Sequence, residues 1–258
     1  MFHMKSICAL IILISISSGI KIYAQDGYFE KNDHDELPYY FGISFGYNSS
    51  FLKTTKSGLF NEQSNFKRAE SGSSGGIELG LMGTLKLARH WELRTVPKLI
   101  IGGSKYLNYY YADGAIPTDK SNLLVSSSGD YYEQMKLPQT LISIPLHVKF
   151  TSDRINNYRA YLFGGPKVDF NLSSNSQEYT AERDLGNATA PLMRKVSFGG
   201  EMGAGVHIYL PFAVISPEFR FSSSFMNDHR RDFSNPYSGD TFNKLQQRML
   251  SFSINIEQ

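Results

Sequence analysis

The chain has 258 residues, 14% of them aromatic, with 22 glycines and a single cysteine. Its formal charge of +2 is carried by Lys5 and Lys21, and the other basic and acidic residues balance at 24 each. That neutrality gives no electrostatic case for nucleic acid, and Cys8 leaves residues 25–258 without disulfide or thiol chemistry.

Residues 1–24 read as an export signal peptide. Lys5 supplies the basic end, Ile7 to Ile16 the apolar run, and Ala24 the small residue for cleavage. The apolar run is too short to cross a bilayer core of about 30 Å. Cys8 follows Ile7 rather than the small residue a lipoprotein site requires. Residues 25–38, with the run KNDHDE, read as a polar periplasmic tail. His34 between Asp33 and Asp35 is no metal cage there, because three consecutive side chains cannot converge.

Residues 39–258 read as strands separated by loops and turns. The first predicted strand is Tyr40 to Asn48, with Phe41, Ile43, Phe45 and Tyr47 on one face. A long loop is expected over 49–74. The second strand, Gly76 to Leu87, sets Ile77, Leu79, Leu81, Leu85 and Leu87 against Glu78, Thr84 and Lys86. A tight turn at 88–90 leads to the third, Trp91 to about Ser104, with Leu93, Leu99 and Ile101 opposite Glu92, Arg94 and Lys98. A second long loop, 105–138, carries two tyrosine clusters, Tyr109 to Tyr111 and Tyr131-Tyr132, expected in an interfacial girdle or a solvated loop.

Residues 143–174 read as one hairpin. Ile142, Ile144, Leu146, Val148 and Phe150 alternate with Ser143, Pro145, His147 and Lys149; past the turn, Leu162, Val168 and Phe170 lie opposite Lys167 and Asp169. A third long loop, 173–194, precedes the sixth strand, Lys195 to Tyr209. Leu210-Pro211-Phe212 is a short turn into the seventh, Ala213 to Phe225. A fourth long loop, 226–243, precedes the eighth, Lys244 to Glu257.

Eight strands of about ten residues or more, long loops alternating with short turns, suit an all-β, eight-stranded antiparallel up-and-down transmembrane barrel. The polar faces carry too many charges for a soluble core, so the apolar faces meet outer-membrane lipid and the charged ones fill the lumen. A lumen that narrow is packed with side chains rather than open as a pore. The expected location is the cell outer membrane. A soluble ligand-binding barrel, the alternative, would place the apolar face inside.

The segment IPLHVKFTSDRINNYRAYLFGGPKVDFNL closely resembles the PorT (SprT) family, outer-membrane proteins of the type IX secretion system of Bacteroidota. The strong likeness covers roughly residues 140–175, and the other strands match mainly in layout. It implies a part in exporting cargo across the outer membrane, with other type IX components as partners. One departure from common outer-membrane barrels is the last strand, whose final aromatic residue is Phe252.

No phosphate loop, HExxH or cysteine-based metal motif is present, so no cofactor, metal or nucleic-acid partner is expected. A Ser–His–acid set can be drawn on the lumen face from His147, His207, Ser143, Ser197, Ser216, Glu201 and Glu218. A polar barrel interior contains such residues anyway, and a triad is defined by geometry. The expectation is a structural network and no enzyme; the alternative is a stand-alone barrel, a lipid-modifying enzyme or a surface adhesin. Two local expectations complete the reading. Lys86 and Glu92 face each other across the 88–90 turn. A turn centred on Ile155 sets Pro145 opposite Gly165, with Pro145 and Pro166 in one ladder break, as a bulge.

Overall fold

The computed structural model describes residues 37–56, 58, 65–117, 123–137, 139–174, 191–230 and 242–258. The expected signal peptide, nearly all of the expected tail and parts of the last two long loops lie outside these residues. Among the described residues are thirteen strands: β1 (Tyr39–Lys56), β2 (Phe66–Gly72), β3 (Ser74–Ala88), β4 (Trp91–Thr95), β5 (Lys98–Gly102), β6 (Lys105–Tyr111), β7 (Leu124–Val125), β8 (Tyr131–Leu137), β9 (Thr140–Thr151), β10 (Tyr158–Asn171), β11 (Val196–Tyr209), β12 (Val214–Ser224) and β13 (Phe242–Glu257).

Nine of them close a ring. Its order is β1-β13-β12-β11-β10-β9, then β4 and β5 end to end, then β3, which pairs back onto β1. The strand expected over 91–104 is interrupted at Val96-Pro97 yet keeps one register: Thr95 faces Gly83 and Lys98 faces Gly80. The barrel therefore has eight walls, all antiparallel, and closure leaves no unpaired edge in lipid.

Alternation assigns the faces as the sequence implies. Leu79, Leu146, Phe170 and Phe252 are exposed on the outer wall, while Glu92, Lys149 and Glu218 are buried in the lumen. A one-residue slip would exchange every pair of faces, so lipid outside and charge inside fix the register.

Three gaps in the barrel ladder lie at prolines, because proline has no N–H to donate, while the register shifts at Thr55-Lys56 and Lys86-Ala88 contain none. Pro97 and Pro145 lie at the β4–β5 junction. Between β9 and β10 the pairing lapses at Leu146-His147 against Gly165-Pro166 and resumes at Pro145 opposite Lys167. Between β11 and β12 it lapses beside Pro217. The expected break at Pro145 and Pro166 is present, but two details change. The ladder is centred on Asn156, which takes a positive φ of 52°, so Pro145 faces Lys167 and not Gly165. No residue is inserted, since the register is the same on both sides of the gap, so the break is not a bulge.

The two loops expected over 49–74 and 105–138 are largely strand. β1 runs on to Lys56 and β13 begins at Phe242, so this pair stands above the other walls. β2, β6, β8 and β7 form a second, four-stranded sheet in that order. With the long connections outside and the short turns periplasmic, this sheet is an outer cap. Its strands were hidden by irregular patterning. In β2 the apolar Phe66 and Ala69 are three apart, and the register slips between Phe66 and Arg68. In β6 the run Tyr109-Tyr110-Tyr111 conceals the period of two.

Candidate functional site: the charged lumen and the outer cap

Inside the barrel, most charges meet between different walls, while Lys167 and Asp169, both on β10, pair at 2.6 Å along one. The Arg94 guanidinium on β4 donates to both carboxylate oxygens of Glu218 on β12, four walls away around the ring of eight. Tyr161 on β10 donates to the same carboxylate at 2.7 Å. Lys98 reaches Glu201 at 2.8 Å, and Arg220 reaches Glu78 at 2.6 Å, where Ser251 also donates. Lys149 contacts Glu92 at 3.0 Å, and Tyr40 donates to Glu92 at 2.7 Å. Arg94, Arg220, Tyr40 and Lys149 are among the largest fully buried side chains. Buried charges persist only when paired in this way.

Aromatic side chains fill what the charges leave. Phe163 and Tyr161 on β10 face Gly203 and Gly205 on β11. A Cβ at Gly203 would stand 2.6 Å from the Phe163 ring, so those glycines make room for the two rings against the wall. Arg94 lies 4.2 Å from the Phe163 ring centroid, a cation–π contact inside the lumen.

Lys86 does face Glu92 in the β3–β4 register, as expected. The carboxylate of Glu92 nevertheless turns to Lys149 and Tyr40, while the Lys86 ammonium sits 5.5 Å from the Tyr40 ring centroid. The sequence spacing identified one facing residue; the choice of partner came from β9, the neighbouring wall, where Lys149 also stands directly opposite Glu92.

The residues from which a Ser–His–acid set can be drawn do not converge. The Ser143 Oγ makes no hydrogen bond among the described residues. Ser197 bonds Ser224 and Asp228 at the outer rim, far along β11 from His207. His147 lies 3.3 Å from Glu201. His207 and Ser216 do meet: Nδ1 is 2.7 Å from the Ser216 Oγ, and Lys149 sits 2.7 Å from Nε2. The acid at this place is Glu257, which the sequence reading did not include. Ser216 donates to it at 2.8 Å, so the hydroxyl proton points at a carboxylate and His207 serves the oxygen as donor. Ser216 is wholly buried, so this arrangement ties β9, β11, β12 and β13 together in a hydrogen-bond chain without access for a substrate.

The cap has the opposite chemistry. Leu52, Phe66, Leu107, Tyr109, Phe242 and Leu245 form an apolar core between β1, β13 and the second sheet. Two of the tyrosines expected in a girdle or a solvated loop belong to it: Tyr109 and Tyr111 are buried, with Phe66 packed 5.0 and 4.8 Å from their ring centroids, while Tyr131 and Tyr132 stay half-exposed. Tyr111 donates to Glu133, and burial together with that bond pushes its hydroxyl well above its ordinary range. On the exposed side Lys67 and Arg68 hold Asp130, and the Lys67 hydrogen bond keeps that carboxyl below the usual carboxylate range. Residues 191–194 and 226–230 close the far side, where Met193 bridges His229 and Asp228 accepts from the Gln247 backbone.

A closed eight-walled ring with a lipid-compatible exterior, a charged interior and short turns at one end defines an outer-membrane β-barrel. The chain belongs to the outer membrane protein beta-barrel domain family, which matches residues 24–230. The match stops before β13, the strand that closes the ring. Among solved structures the chain is similar to the outer membrane protein OprG from Pseudomonas aeruginosa, at 13% identity, 85% of this chain, 93% of that one and a TM-score of 0.46. Neisserial surface protein A gives 12%, 84%, 96% and 0.39, and Ail, the attachment invasion locus protein of Yersinia pestis, gives 11%, 86%, 100% and 0.35. No curated protein matches the chain.

Proposed function

We propose that this outer-membrane barrel is an accessory or assembly part of a type IX protein-secretion translocon, and neither an enzyme nor a pore. The observation that carries the reading is the hairpin of β9 and β10, with its sequence IPLHVKFTSDRINNYRAYLFGGPKVDFNL, which resembles the PorT family. The lumen fits a supporting role: a barrel of eight walls crossed by Arg94–Glu218 and Arg220–Glu78 leaves no passage for a cargo protein. Its part in export is therefore through contacts. The surfaces offered are the lipid-facing wall, the periplasmic tail 25–38 and the turn 152–157, where Ile155 stands 73% exposed.

The test is a deletion strain. The expected outcome is loss of type IX cargo from the cell surface, with cargo held in the periplasm. Complementation with His147→Asn or His207→Asn is expected to restore export whenever the barrel folds. Normal export in the deletion strain would sink the secretion reading. Failure of well-folded histidine variants would favour a catalytic barrel, and loss of surface adhesion with export intact would favour an adhesin.

A further inference from the structure

We propose that a basic groove at the short-turn end of the lumen holds the acidic run Asp33-His34-Asp35-Glu36 of the chain itself, latching the root of the tail across the barrel mouth. The groove has a volume of about 300 Å³ and is lined by Leu37, Pro38, Lys86, Arg89, Glu92 and Arg159. It belongs to the lumen and not to the lipid wall. Lys86 faces Glu92 across the ladder and Arg159 faces His207, and both partners are buried inside the barrel. Three cations and one acid thus line the groove, and the acid is engaged from within: Glu92 is held by Lys149 at 3.0 Å and by Tyr40 at 2.7 Å. Arg89 is bridged to Asp153 at 2.7 Å, but both side chains are more than two-thirds exposed, and a bridge so exposed holds weakly.

Position selects the occupant. The described chain begins at Leu37, and Leu37 and Pro38 are themselves walls of the groove. The Pro38 carbonyl accepts from the Lys86 backbone N–H at 2.9 Å, so the chain enters β1 beside that lysine. It bends at Pro38, out of the line of the strand. Four residues span at most roughly 14 Å when extended. Asp33, Asp35 and Glu36 are therefore tethered to the edge of the groove, at an effective concentration on the order of millimolar. Three acids with no lysine or arginine among them complement the cations there. A groove of this size takes a few side chains rather than a folded domain, and an acidic segment of another protein would have to displace the tethered run. The latch closes the periplasmic mouth and fixes the point from which the rest of the tail departs.

A carbodiimide, which joins an amine directly to a carboxylate, is applied to outer membranes holding the protein, and the Lys86 peptide is identified by mass spectrometry. Lys86 joined to Asp33, Asp35 or Glu36 is the expected product. In 1 M salt, where the screening length falls to about 3 Å, its yield should drop at least fivefold. Spin labels give a second readout, since residues 25–258 contain no cysteine. Nitroxides at Asn32→Cys and Ile155→Cys of the detergent-solubilised barrel should report one narrow distance. Asp33→Asn, Asp35→Asn and Glu36→Gln together should broaden it, as should Lys86→Gln with Arg159→Gln. Heat-shifted gel mobility checks folding, and the tail variants, which touch no strand, carry the test should the groove variants fail to fold. Equal breadth with and without the three acids overturns the proposal. So does Lys86 joined to Glu92 alone, to a second protein or to nothing. None of these outcomes depends on whether export fails in the deletion strain.

Discussion

Between the barrel walls, Arg94, Glu218, Arg220 and Glu78 lie buried in hydrogen-bonded pairs. A few turns further out, under the second sheet, Leu107, Tyr109 and Phe242 are just as buried with no charged partner among them. The same chain thus has a polar interior where its outer face meets lipid and an apolar interior where its outer face meets water. Burial depth is equal in the two places; what differs is the solvent on the other side of the sheet. An apolar wall saturated by lipid leaves the polar faces only the lumen, so that core is held by paired charge. The cap, bathed in water, is held by removal of apolar area from solvent.

The two interiors should therefore fail differently. Glu218→Ala removes the shared acceptor of Arg94 and Tyr161, leaving a buried guanidinium with no counter-charge. The expected loss is about 3–5 kcal/mol of barrel stability, read as a lower urea midpoint in detergent. Unchanged unfolding would mean that the lumen pairs are dispensable. Leu107→Ala opens a cavity in the cap and should cost about 2–5 kcal/mol there. Its signature is local: faster proteolysis within 105–137, with the heat-shifted mobility of the barrel preserved. Joint collapse of cap and barrel would show that the two cores are one cooperative unit.

The finest comparison lies within the lumen itself. Double-mutant cycles should give a coupling of about 0.5–3 kcal/mol between Glu92 and Lys149, which touch. Glu92 and Lys86, paired in register only, should couple by no more than about 0.2–1 kcal/mol. Equal couplings would restore Lys86 as the partner.

The sequence by itself determined the barrel: strand count, facing, and the alternation of long and short connections. A period of two written in Leu79, Leu146 and Phe252 against Glu78, His147 and Ser251 has only one orientation once charge must avoid lipid. Pro145 and Pro166 also announced one ladder break, because a missing N–H is a property of the residue, while those at Pro97 and Pro217 were not read. Tertiary structure decided the rest. A turn centred on Asn156 rather than Ile155 moved Pro145 from Gly165 to Lys167, since a partner shift of two residues keeps every face and is invisible to alternation. The cap strands were unreadable because β2 slips register and three tyrosines in succession suit either face. Which charge meets which across the lumen, Arg94 with Glu218 and Arg220 with Glu78, was settled only by ring closure. Closure brings walls distant in the chain across a lumen whose width no local pattern encodes.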